Sequence, residues 1–204
     1  MALLSETEVQ QVSSAIEKLE QSTDAELVTV LAGQSDDYHY IPTLWAALLA
    51  MISPGVVLFM PFWLGVSELL IIQAGVFIFF ALILRMPFLL RHIIPKRVKH
   101  WRASNLARRQ FLENNLHHTA GETGVLIFVS ETERYVEIIA DRGVAKFIDD
   151  EMFAAIVEKF SSQVKAGQTL EGFLEAIDAC GTLLVEHVPA THQRNELPNH
   201  MILI

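Results

Sequence analysis

Four acidic residues lie close together in the sequence and are the first candidates for metal chemistry. Asp141 follows the apolar stretch RYVEIIA, and Asp149, Asp150 and Glu151 follow a short loop. Loop carboxylates of this kind can bind a divalent cation through their oxygen atoms. The alternative, which we favour, is that Asp149 and Asp150 cap a helix and that Asp141 pairs with Arg142, Lys146 or solvent. Asp141, Asp149 and Asp150 are therefore candidate metal ligands with a competing structural role.

No sequence motif points to a catalytic centre. A Gly-rich phosphate loop, HExxH, GxSxG, CxxC and a DxD strand end are all missing. His117 and His118 are adjacent, and successive helical residues point about 100° apart, so one zinc ion cannot readily bind both. The single cysteine, Cys180, excludes an intrachain disulfide and a multi-cysteine zinc site. We assign no catalytic residue and no certain cofactor, and the sequence leans away from an enzyme.

Two long uncharged stretches lie before this region, at residues 41–66 and 69–84. A bilayer core about 30 Å thick needs about 20 apolar residues in a helix. We predict a transmembrane helical hairpin at 41–90, with spans at about 41–61 and 66–86 and a turn at 61–67. The alternative is a buried hairpin in a soluble core, but the flanking polar parts are too small to cover two apolar helices.

Basic residues after the second stretch predict the orientation of this hairpin. No acidic residue occurs between Glu68 and Glu113. Short basic flanks stay in the cytoplasm, so both termini should be cytoplasmic at a bacterial inner membrane. We call the eight Lys and Arg residues of this region the basic collar: Arg85, Arg91, Lys96, Arg97, Lys99, Arg102, Arg108 and Arg109.

The composition agrees with a membrane segment inserted into an acidic domain. The 204 residues carry a formal net charge of −9, and 51% are apolar while 19% are charged. Soluble domains have about 25% charged residues, and the predicted hairpin explains the deficit. The acidic total argues against nucleic acid as a partner. The expected partners are the lipid bilayer and either a membrane protein or a second copy of the chain.

The polar parts of the chain read as mixed α/β structure. A capping box at Ser5–Glu8 begins an amphipathic helix, and residues 25–32 read as a buried strand. A basic helix is predicted at 96–118, and strands at 124–130 and 134–140 are joined by a short loop. Two amphipathic helices follow, the first capped at Asp149 or Asp150 and ending near Gly167, the second beginning at Thr169. Beyond Pro189 we expect a tail that is disordered or bound to a partner.

The domain organisation follows from the first strand. A single strand at 25–32 cannot form a sheet alone, so it should pair with the strands beyond the hairpin. Such pairing requires the polar segments before and after the hairpin to lie on the same side of the bilayer. An even number of spans places them there. We therefore expect residues 1–36 and 95–188 to form one domain around the hairpin at 41–90, followed by a tail at 189–204.

The stretch GVLIFVSETERYVEIIADRGVAKFID, with KFSSQVKAGQTLEGFLEAI after it, resembles the TPM domain family, formerly a domain of unknown function. The chain resembles a bacterial, membrane-inserted subgroup, because its hairpin follows the first strand. The resemblance implies a three-layer α/β/α-type fold. Its implied functions are mixed: photosystem II repair with a claimed phosphatase activity in thylakoids, channel modulation in animals, and calcium binding in some relatives.

Three functions remain open at this point. The first is a non-catalytic, membrane-anchored module that assists or regulates another membrane protein. The second is a metal-assisted phosphatase that uses Asp141 with Asp149 or Asp150. The third is anionic-lipid sensing by the basic helix.

Overall fold

The computed structural model describes residues 4–59, 61, 64–191, 196–198 and 200–204. It contains two compact units, one formed by residues 1–35 and 100–204 and the other by residues 36–99. The described helices and strands, in chain order, are α1 (Glu6–Glu20), β1 (Glu26–Ala32), α2 (Tyr40–Leu58), α3 (Val66–Ile83), α4 (Pro87–Ile93), α5 (Lys96–Glu113), β2 (Gly124–Ser130), β3 (Tyr135–Ala140), α6 (Arg142–Ala145), α7 (Asp150–Ala166), α8 (Thr169–His187) and β4 (Met201–Leu203).

The first unit is built on a four-stranded sheet in the order β3-β2-β1-β4. β1 pairs with β2 in parallel, with Glu26 opposite Gly124 and Ala32 opposite Ser130. β3 is antiparallel to β2, as expected for a hairpin, and β4 is parallel to β1. The chain thus leaves at the carboxyl end of β1, passes through residues 36–99, and returns along α5 to the amino end of β2. The predicted pairing of the first strand across the hairpin is confirmed.

Alternate side chains of the central strands face two different helical layers. Leu27, Leu31 and Ile127 lie in a core with α1, α7 and α8. Val30 and Phe128 lie in a second core with Ala103 and Leu106 of α5. Both central strands are buried along their whole length, which explains why most of their residues are apolar. The expected three-layer mixed α/β fold is confirmed.

The second unit consists mainly of two apolar helices that pack against each other. Residues 40–57 of α2 and 66–83 of α3 are long and apolar enough to cross a membrane. None of the 18 residues in this window of α3 is buried. α2 continues past Pro54, and the predicted turn between the spans includes residues 62 and 63, which lie outside the described residues. The helices leave a large apolar surface that a bilayer or another protein would cover.

Two segments differ from the sequence prediction. The basic helix ends at Glu113 rather than continuing to residue 118, because Asn115 has a positive φ of 57° and a short 3₁₀ helix follows at Leu116–His118. The tail was expected to be disordered or bound to a partner. Residues 192–195 and 199 of this tail lie outside the described residues. Its end forms β4 on the edge of the chain's own sheet, because the side chains of Met201 and Ile202 pack in the apolar cores on the two faces of the sheet.

Candidate functional site

A cleft of 780 Å³ opens at the carboxyl end of the sheet, the end from which the chain leaves toward residues 36–99. Its walls are the start of α1, the β2–β3 loop and the α7–α8 loop. Ser5, Glu8, Glu131, Arg134 and Lys165 are among the residues that line it. Open α/β sheets usually bind ligands at the carboxyl ends of their parallel strands. We call this cavity the strand-end cleft, and its mixed charges suit a ligand that carries both signs.

A buried polar network holds the β2–β3 loop beside the strand-end cleft. The Ser35 hydroxyl donates to the Ser130 hydroxyl at 2.8 Å, and the Ser130 hydroxyl donates in turn to Glu133. The backbone N–H of Ser35 also donates to the Glu133 carboxylate, at 3.2 Å. Because Glu133 is buried and accepts hydrogen bonds from both strand ends, it fixes the β2–β3 loop to the point where the chain leaves β1.

The basic helix α5 presents two different faces. Its inner face packs on the sheet through residues such as Ala103, Leu106 and Ala107. The outer face carries Trp101 and Leu112, which are 58% and 55% exposed. Basic collar residues Arg97, Arg108 and Arg109 are also exposed, and Arg109 pairs with Glu113 at 3.5 Å. α5 therefore combines apolar and cationic groups on its solvent side.

The remaining basic collar residues precede this face or lie beside it. Arg85 and Lys96 are exposed, Lys99 and Arg102 are partly buried, and the side chain of Arg91 lies outside the described structure. The Arg102 guanidinium stacks over Trp101, with 4.8 Å between Cζ and the ring centroid. This cation–π contact holds two groups of the helix together near its start.

The candidate metal ligands occupy helix caps. Asp141 accepts a hydrogen bond from the backbone N–H of Arg142 at 2.8 Å at the start of α6. Asp149 accepts one from the N–H of Met152 at 3.0 Å at the start of α7. Asp150 is the first residue of α7, and its side chain is not described. Within the described residues, no group of three or more His, Cys, Asp or Glu could hold a metal ion. The metal-assisted phosphatase stays a prediction.

Comparison with known proteins identifies the domain. Residues 92–183 match the family model described as the TPM domain. The chain contains a TPM domain. A search of curated proteins found no match. The NMR structure of BA42 protein from the psychrophilic bacterium Bizionia argentinensis is similar, with a TM-score of 0.61 and 17% sequence identity over 98% of this chain and 95% of the other. At that identity the similarity shows the fold.

A partly buried carboxylate links the two layers of the TPM domain. Glu137 lies on β3 and accepts a hydrogen bond from the Ser104 hydroxyl of α5 at 3.2 Å. Burial raises the pKa of Glu137, while hydrogen bonds from Ser104 and Tyr135 lower it in part. The His100 ring packs against Tyr135 with 5.3 Å between centroids. Sequence reasoning found no partner for Glu137, because Ser104 is 33 residues away and meets it only when α5 covers the sheet.

A second partly buried carboxylate lies where α1 meets β1. Glu20 accepts a hydrogen bond from the backbone N–H of Leu27 at 2.9 Å, and its second oxygen is buried with no hydrogen-bond partner in the described structure. The pKa of Glu20 is raised from 4.5 to about 8, mainly by burial. The hydrogen bond from the Leu27 N–H lowers the pKa, and the nearby charges of Glu26 and Glu17 raise it further. Glu20 therefore keeps its proton in the folded state at neutral pH.

Glu20→Gln should stabilise the protein at alkaline pH. Between pH 4.5 and 8 the unfolded chain releases the Glu20 proton while the folded chain keeps it, so wild-type stability falls as the pH rises through this window. Glutamine keeps the acceptor for Leu27 and stays neutral. The melting temperature of the variant should therefore exceed that of the wild type by an amount that grows from pH 5 to 8 and then levels off.

The exposed Glu17 supplies the matched control. Glu17→Gln removes the same charge one helical turn away, and it should change the melting temperature little at any of these pH values. If Glu20→Gln raised the melting temperature by the same amount at pH 5 and pH 9, Glu20 would not keep its proton in the folded state.

Proposed function

We propose that this protein is a non-catalytic, membrane-anchored module that assists or regulates another membrane protein. In this proposal α2 and α3 span the bacterial inner membrane as a hairpin and hold the TPM domain at its cytoplasmic face. The observation that carries it is the place of the insertion: two apolar helices without a covering layer join the carboxyl end of β1 to the basic helix.

The strand-end cleft is the proposed docking site for that protein. It lies at the carboxyl end of the sheet, where the chain leaves β1 for residues 36–99. Arg134 and Lys165 offer cations, while Glu8 and Glu131 offer carboxylates within the same opening. A protein segment with both charge signs can pair with the two cations and with the two carboxylates, of which Glu8 also accepts hydrogen bonds from Ser5. A simple anion pairs only with the cations.

Photocrosslinking from the strand-end cleft tests the docking proposal. A photoreactive amino acid replaces Lys165 in the full chain, expressed in its native membrane, and a matched control places it at the exposed Glu158 on the same helix. We expect a defined adduct with one membrane protein from position 165 and none from position 158. Charge reversal by Arg134→Glu should reduce the adduct severalfold. Membrane-inserted protein that gives no adduct from position 165 would refute the proposal.

Cysteine labelling tests the proposed topology. The native thiol does not interfere, because Cys180 is fully buried and burial raises its pKa to about 12. A membrane-impermeant maleimide should label Gly65→Cys, between the two spans, in cells with a permeabilised outer membrane. It should label Asp178→Cys, an exposed position on α8, only after the inner membrane is opened. Labelling of position 178 from outside would reverse the orientation.

Lipid sensing by α5 is a second candidate function, favoured by the exposed Trp101 and Leu112 among arginines. Such a face binds an anionic bilayer through both charge and apolar insertion. In a chain carrying Trp45→Phe and Trp63→Phe, brominated lipid should quench Trp101 in discs rich in phosphatidylglycerol. Arg97→Gln with Arg108→Gln should weaken the quenching, whereas equal quenching in zwitterionic discs would exclude anionic-lipid sensing.

A further inference from the structure

The edge of β1 opposite β2 forms a groove that holds the last residues of the chain. β4 lies parallel to β1, with Met201 opposite Thr29 and Leu203 opposite Leu31. The N–H of Ile204 donates to the Leu31 carbonyl at 3.0 Å, and the N–H of Gly33 donates to the Ile204 carbonyl at 2.8 Å. The segment therefore adds a strand to the sheet through its main chain.

A buried carboxylate fixes the start of this segment. Glu26 is 4% exposed, and its two oxygens accept hydrogen bonds from the consecutive N–H groups of Glu196 and Leu197, at 2.8 and 3.2 Å. The Glu196 carboxylate accepts a hydrogen bond from the backbone N–H of Ala120 at 2.9 Å, on the opposite wall of the groove. Glu26 thus recognises the main chain of an extended segment, whatever its side chains.

Alternate side chains of β4 fill apolar positions on opposite faces of the sheet. Met201 is 5% exposed in the core between the sheet and α1, and its N–H donates to the Ser13 hydroxyl at 3.3 Å. Ile202 packs in the second core on the α5 side. Main-chain pairing along a sheet edge, together with pockets for alternate side chains, is the way extended peptides bind by strand addition.

We propose that this groove is a strand-acceptor site that also takes residues 196–204 of a second copy of the chain. Every copy carries the segment whose side chains fit the groove. Exchange of identical elements between copies costs little, because the groove forms the same interactions with its own strand and with that of another copy. Copies anchored in one membrane also have a high effective concentration. This last step rests on the proposed function, although the groove and the strand-end cleft are tested at different residues.

Disulfide trapping between two registered positions tests strand exchange. Val30 on β1 lies opposite Ile202 on β4, and neighbouring strands bring such pairs within disulfide range. Full-length chains that carry Cys180→Ala with either Val30→Cys or Ile202→Cys are expressed together and oxidised with copper phenanthroline in air. We expect a covalent dimer linked between positions 30 and 202, at a yield at least about tenfold above that of the pair Phe147→Cys and Ile202→Cys.

The double variant Val30→Cys/Ile202→Cys in one chain is the positive control and should close an internal disulfide. Internal closure without a mixed dimer would show that the tail stays in its own chain, and it would overturn the proposal. Equal dimer yields from positions 30 and 147 would show random collision and would also overturn it. A disulfide between position 30 and another protein, in place of a second copy, would also count against the proposal. So would the absence of any disulfide in both the mixture and the double variant.

Discussion

Phe128→Ala should lower the free energy of unfolding of the TPM domain by about 3–5 kcal/mol. Phe128 lies in the middle of β2, is fully buried, and packs in the core that joins the sheet to α5. It lies opposite Val30 on one side and Glu137 on the other, so the surrounding strands cannot close over the cavity left by the ring. Hydrogen exchange of β2 amides in detergent-solubilised full-length protein should accelerate by two or more orders of magnitude.

Phe147 provides a control with the same change of side chain. It lies just after α6 and is 59% exposed. Phe147→Ala should therefore change stability by about 0.5 kcal/mol or less. If Phe128→Ala left β2 exchange as slow as in Phe147→Ala, the assignment of α5 as the cover of this face would be wrong.

Gly143→Ala should destabilise the TPM domain by about 3 kcal/mol, the upper part of the usual range for overpacking. A methyl group on Gly143 would lie 2.2 Å from the carbonyl oxygen of Gly121 and 2.6 Å from that of Glu122. Both obstacles are backbone atoms, so the loop must move, and the 2.8 Å hydrogen bond from the Gly143 N–H to Glu122 would break. Thermal unfolding monitored by circular dichroism should show a lower melting temperature.

The same substitution at Gly55 is the matched control. Gly55 lies inside the helix α2, and apart from the adjoining residues and backbone of that helix no heavy atom lies within 4 Å of the position that its methyl group would take. Gly55→Ala should be neutral or slightly stabilising, since alanine favours the helical conformation. A Gly143→Ala variant with wild-type stability would show that the contact with residues 121 and 122 is looser than the structure gives.

Local signals predicted most elements of the TPM domain. The Ser5 capping box, the Asp149 cap and Gly167, which has a φ of 80°, each mark the end of a helix in the structure. Apolar runs predicted β1 and β2 because both strands are buried on both faces. Such signals depend on a few neighbouring residues, so the sequence displays them directly.

Interactions between residues that lie far apart in the sequence could not be predicted from such local signals. β4 is three residues long, and nothing in the residues MIL distinguishes an edge strand from a free apolar end. Its position depends on Glu26, 170 residues before Glu196, and on an open edge of β1. The Ser35–Ser130–Glu133 network likewise joins residues that meet only after β1 and β2 pair. The strand-end cleft was missed for this reason, since its walls come from three separate parts of the chain.

The sequence by itself determined the two apolar helices, the basic collar, the strands β1, β2 and β3 and the TPM resemblance, because composition, periodicity and caps are local properties. Only the tertiary structure decided what most of the other acidic residues do. Asp141 caps α6, Glu137 joins two layers, and Glu26 fixes the tail. The sequence does not show which role a carboxylate has. That role depends on which hydrogen-bond donors the fold places within about 3 Å of the carboxylate and on how far the fold excludes water from it.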